Sequence, residues 1–147
     1  MDTFNSIITT PNVLTKNKLS LPFDKRQKSR QRAVTLTGEV VFIQLPRGTV
    51  MRDGQFLASE QGQILEVTAA PEPVSTVSTQ SAEQLARIAY HLGNRHVALQ
   101  VGDNWVRYLQ DPVLDKMVAG LGLTVVSSCC PFEPEAGAYS QGGHSHH

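Results

Sequence analysis

No stretch of this chain approaches the roughly 18 consecutive apolar residues that a membrane-spanning helix needs, which removes that class at once. Its start, Met1-Asp2-Thr3-Phe4, lacks the basic residues and apolar run of a secretory leader, so a cytoplasmic home is the expectation. An excess of one charge is missing too: Lys+Arg and Asp+Glu both number 13. Such a balance gives no global field to attract nucleic acid or a membrane surface. Cysteine is scarce, and its two residues, Cys129 and Cys130, are adjacent, which is not a disulfide framework. Phosphate-binding loop, HExxH helix, nucleophile elbow and dinucleotide fingerprint are all absent, and the acids form no catalytic pair at a readable spacing. The expectation is a protein that is not an enzyme. What is there suffices for a fold. Hydrophobic residues make up 40% of 147, enough for one domain or two small ones, and 18% charge is too little for a disordered polar tail protein.

Residues 1–32 are mostly polar, with an apolar pair at Ile7-Ile8 and an alternation Leu19, Leu21, Phe23 that predicts a short strand. The basic run Lys25, Arg26, Lys28, Arg30 and Arg32 has no interleaved aromatics, so it reads as a solvated or protein-docking face and not as a nucleic-acid site. From Ala33 to Ala70 short apolar segments alternate with turn signals at Thr37-Gly38, Pro46-Arg47-Gly48, Asp53-Gly54 and Gln61-Gly62. That spacing predicts an all-β sandwich or small barrel.

The pattern changes at Ala70-Pro71-Glu72-Pro73. After a strand at Val74–Val77, Ser81 and Gln84 predict a capping box, and Leu85, Ile88, Ala89 and Leu92 form one apolar stripe. Gly93 is the expected left-handed stop. A strand from His96 to Val101, a turn at Gly102-Asp103-Asn104 and a return strand from Trp105 follow. Asp111-Pro112 opens a second helix, and Thr124–Cys130 is the last strand, one cysteine turned in and buried, the other half-exposed. The order β-α-β-β-α-β predicts a ferredoxin-like unit. The fold class is therefore α+β: an N-terminal β domain at 1–72, a ferredoxin-like domain at 73–139 and a flexible histidine-bearing tail at 140–147.

The five histidines are distributed oddly: His91 and His96 beside one turn, His144, His146 and His147 at the end. An isolated His96 can cap a carbonyl or pack in a core, and one imidazole cannot hold a divalent ion tightly. Two features point toward metal. A twofold dimer would bring two His96 rings together, and the tail supplies further imidazoles. The tail has neither six unbroken histidines nor a cloning scar, so it reads as native. Such tracts take borderline ions, nickel, copper and zinc among them, with affinity falling as pH drops through the imidazole's ordinary range of about 6.5. His91, on the last turn of a helix, reads as a surface residue favoured by the helix dipole.

Several segments carry a resemblance: Arg26-Gln-Lys-Ser-Arg30, Leu45-Pro-Arg-Gly48, Asp53-Gly54, Ala69-Ala-Pro-Glu72, Tyr90-His-Leu-Gly-Asn-Arg-His96, Val113-Leu114 with Met117, and Phe132-Glu-Pro-Glu-Ala-Gly-Ala-Tyr139. The chain resembles the urease accessory protein E (UreE) family of nickel metallochaperones, from about residue 19 to the tail. The resemblance implies a β domain sometimes called peptide-binding, and a ferredoxin-like domain that forms a homodimer. It implies that His96 of each protomer binds Ni(II) at the interface and that His144, His146 and His147 add ligands. It further implies delivery to the urease apoprotein with the urease accessory GTPase as partner. Pro112 stands where many members carry a histidine, which removes that ligand. The alternative reading is a nickel or zinc buffer without a specific client.

Overall fold

The computed structural model describes residues 2–9 and 17–137. It divides into two compact units, one holding Met1–Ala70 and the other Pro71–Ala136.

The first unit is a six-stranded mixed sheet of β1 (Asp2–Ile8), β2 (Lys18–Leu21), β3 (Arg30–Val34), β4 (Val40–Gln44), β5 (Phe56–Ser59) and β6 (Ile64–Ala69), in the order β2-β6-β5-β1-β4-β3. β1 pairs parallel with β4 and β2 parallel with β6; the remaining neighbours are antiparallel. Alternate residues turn inward, so Phe4, Leu19, Val41, Ile43, Leu57, Leu65 and Val67 fuse into one core. The Leu36 N–H donates to the Lys18 carbonyl at 2.9 Å, which brings the end of the β3–β4 hairpin to β2 and curls the sheet like a barrel.

The hairpins β3–β4 and β5–β6 close with one chemistry. The Thr35 and Ser59 hydroxyls accept from the amides of Glu39 and Gln63, each at 3.1 Å, and Gly38 and Gly62 take φ of +93° and +87°. That is a turn ended by a left-handed residue, which Gly alone fills without steric cost.

Three expectations for this unit fail. β1, which lies inside the sheet, was hidden in the polar start because a register shift between Phe4 and Ser6 breaks its alternation of two. The strand at Leu19 stops at Leu21, and Phe23 instead opens the single helical turn α1 (Phe23–Arg26). The basic run is not uniformly solvated: Arg26 is fully buried. Its Nε donates to the Leu21 carbonyl at 3.1 Å and its Nη1 to the Met51 carbonyl at 3.3 Å. Its guanidinium lies 5.6 Å from the Phe23 ring centroid. A buried cation survives only with its donors engaged in this way.

The second unit runs β7 (Pro71–Ser78), α2 (Ala82–Asn94), β8 (Gln100–Gly102), β9 (Trp105–Leu109), α3 (Pro112–Gly120) and β10 (Val125–Pro131). The sheet order is β10-β7-β9-β8, antiparallel throughout, which is the ferredoxin-like βαββαβ arrangement expected. Ile88 and Leu92 of α2 and Leu114 and Val118 of α3 bury against Val77, Val106 and Tyr108 of the sheet. The Tyr108 hydroxyl donates to Asp115 Oδ1 at 2.7 Å, tying α3 to β9.

Local chemistry explains the helix starts. Asp111 Oδ1 accepts from the Val113 amide at 2.9 Å, with Pro112 at the first helical position. Ser81 Oγ accepts from the Gln84 amide at 3.2 Å, but the reciprocal half of the expected box is indirect. The Gln84 side chain accepts from the Thr79 hydroxyl at 3.0 Å, and that hydroxyl accepts the Ser81 amide at 3.1 Å.

Other boundaries differ. β7 begins at Pro71 and contains both prolines, because it pairs with β10 on one side and reaches β9 only from Val74 onward. α2 does not stop at Gly93, and the stretch 97–99 is irregular where a strand was expected. Cys129 is exposed and Cys130 partly so; neither is the buried thiol expected, because β10 is an edge strand.

Candidate metal centre

The end of α2 sets the position of His96. The His96 amide donates to the Gly93 carbonyl at 2.9 Å and the Val97 amide to the Leu92 carbonyl at 3.2 Å. This is the six-to-one, five-to-two closure of a Schellman motif, with Arg95 as cap. The residue after the cap must be left-handed, and here it is His96, at φ +60°. Val97 then packs against the core cluster that contains Leu92, the apolar contact that accompanies this closure. Glycine fills such a position without strain; an L side chain costs roughly 1 kcal/mol there, although histidine tolerates it better than most.

The His96 ring is exposed and meets no hydrogen-bond partner among the described residues. It neither caps a carbonyl nor packs in the core. His91, one turn earlier, is half-buried, its ring edge-on to Tyr90 with centroids 5.4 Å apart. Among the described residues no three His, Cys, Asp or Glu side chains converge on a point that could hold a metal ion. His144, His146 and His147 lie outside the described residues. Pro112 is part of the α3 start and offers no ligand.

One feature was marked in the sequence only by the resemblance that Phe132 to Tyr139 carries, not by periodicity or turn signals. β10 ends at Pro131 on one edge of the sheet, and the chain then runs to the other edge, where β8 lies. There the Glu133 amide donates to Gln100 Oε1 at 3.0 Å and the Glu135 amide to the Leu99 carbonyl at 2.8 Å, with Phe132 fully buried. This strap sets Glu135 beside Leu99, three residues past His96 in the chain. His144 follows nine residues later, an extended span of at most about 30 Å.

Fold and site together define a two-domain protein, a curled β sheet plus a ferredoxin-like unit, that presents an exposed imidazole at a helix end. Comparison with known proteins sharpens this class. Residues 5–70 match the model of the UreE urease accessory protein N-terminal domain, and residues 72–147 match that of the C-terminal domain. A urease accessory protein UreE of Alkalilimnicola ehrlichii is 56% identical over 121 residues, covering 82% of this chain and 74% of the relative. Proteins of the same description from Pseudomonas fluorescens and Nitrosospira multiformis are 48% and 44% identical, over 94% and 88% of this chain and 83% and 74% of their own lengths. The chain belongs to the UreE urease accessory protein family. Its relatives are named as accessory proteins of urease, not as the catalytic enzyme. No helix among the described residues is long and apolar enough to cross a membrane.

Proposed function

We propose that this chain is a cytoplasmic nickel carrier for urease assembly, without catalysis of its own. It takes up Ni(II) through His96 of two copies and passes the ion on with the accessory GTPase to the urease apoprotein. The observation that carries this reading is His96 itself: an exposed imidazole kept at a backbone position that glycine would occupy at lower cost. Strain of that kind is retained where the side chain has a task. The lack of a closed ligand cluster within one described chain fits a carrier, because a complete four-ligand site holds its ion too firmly to release it. A second copy completes the site in this reading, and His144, His146 and His147 serve as exchange ligands within reach of the strap. Zinc and copper compete for the same imidazoles.

The test is twofold. Calorimetric titration of His96→Ala with nickel should lose the tightest binding event; unchanged affinity rejects the site. Reconstitution with apo-urease and the accessory GTPase should yield more urease activity than free nickel at matched concentration. Equal activity leaves a metal buffer without a client.

A further inference from the structure

All the large exposed apolar side chains described in the Met1–Ala70 unit fall on one hairpin: Val34, Leu36, Val40 and Phe42, with Val34 61% and Phe42 46% exposed. The same hairpin carries the outer edge of the sheet. β3 is the last strand in the order, and among the described residues its only strand partner is β4. The narrow pairs at Thr35–Glu39 and Ser29–Leu45 fix the hydrogen-bonding phase of the ladder. Bonding residues therefore alternate at 31 and 33, and the N–H and C=O groups of Arg30, Arg32 and Val34 point away from β4. The Leu36–Lys18 bond closes the sheet only beyond Val34. An unpaired row of this kind accepts another strand.

The side chains along this edge say which strand fits. Arg30, Arg32 and Val34 stand on the solvent face, beside Gln44, Phe42 and Val40 in the same register. Arg30 and Arg32 have no carboxylate partner among the described residues. A cavity of about 320 Å³ opens between Arg30, Gln31, Phe42 and Gln44. An added strand places alternate side chains next to these, because the period of a strand is two.

We infer that the outer edge of β3 docks an extended, acidic segment of a partner protein by strand addition. The segment bears two carboxylates two residues apart, facing Arg30 and Arg32, and an apolar residue two further along, beside Val34. This inference needs only the N-terminal unit and stands apart from the nickel reading.

The test uses the full chain, labelled with nitrogen-15, and a short synthetic peptide with the core Glu-Thr-Glu-Thr-Val. Saturable binding should appear below about millimolar peptide, with new exchange protection at the amides of Arg30, Arg32 and Val34. The double variant Arg30→Glu, Arg32→Glu should weaken binding about tenfold or more and favour the Lys-Thr-Lys-Thr-Val counterpart. Arg32→Pro, which removes one outward donor and leaves the β4 ladder intact, should also weaken it. Nickel titration should be the same for every variant, so failure here does not touch the metal reading. Equal affinity for the two peptides, protection on another strand, or no saturable binding overturns the inference. So does a change of oligomeric state in Phe42→Ser without peptide, which makes the face an interface between copies.

Discussion

The two helices of the second unit end in the same way with different residues. α3 closes with the Gly122 amide on the Ala119 carbonyl at 3.0 Å and the Leu123 amide reaching toward the Val118 carbonyl at 3.4 Å. α2 closes with the equivalent pair from His96 and Val97. Val97 and Leu123 pack against the same core. The left-handed position holds glycine at φ +87° in one case and histidine at +60° in the other. α3 shows what the backbone asks for when nothing else intervenes. α2 departs from it at a residue whose side chain the proposed function needs, so the difference separates a folding requirement from a functional one.

The strongest way to break the comparison is to give α2 the residue of α3. His96→Gly should cost at least about 100-fold in nickel affinity by calorimetry. It should at the same time raise stability by about 0.5–1 kcal/mol in chemical denaturation, because the strain is relieved. His96→Ala should lose the nickel without that gain. A His96→Gly protein that is both tight for nickel and no more stable would remove the argument. Deleting residues 144–147 should have a smaller effect, roughly tenfold in affinity or one ion fewer in a titration, with stability unchanged. The reverse exchange, Gly122→Ala, should cost roughly 1 kcal/mol with nickel binding intact. No atom lies within 4 Å of a Cβ built there, so the whole cost is conformational. Smallest is His96→Asn, which tolerates the left-handed region. Its unfolding midpoint should stay within about 0.5 kcal/mol of the parent, while its nickel isotherm follows that of His96→Ala.

Elements whose cause is local could be read from the sequence. Asp111-Pro112 starts a helix because its cap and its fixed φ act within three residues. The hairpin turns at Gly38 and Gly62 and the βαββαβ order were legible for the same reason. Arg26 was not, because it is buried by carbonyls that include Met51, 25 residues away. The end of α2 was misplaced because Gly93 carries the usual stop signal. Running on to Asn94 lets Val97 reach the core, and that gain is tertiary. His96 stood out by the rarity of its residue type, but its exposure and left-handed backbone needed coordinates. The segment from Phe132 to Glu135 stood out only through the resemblance it carries; its course as a strap was not legible, because its own backbone amides make the bonds that hold it.

The clasp between Tyr108 and Asp115 has a consequence in alkaline solution. Burial, first, and then the hydrogen bond and negative charge of Asp115 hold the Tyr108 phenol above its ordinary value of 10.0. The folded chain thus keeps a proton that the unfolded chain surrenders once pH passes that value. Its support for the fold is complete below pH 10 and drains away above it. The molecule therefore carries a basic limit on its endurance, set by a phenol that the proposed nickel site does not use.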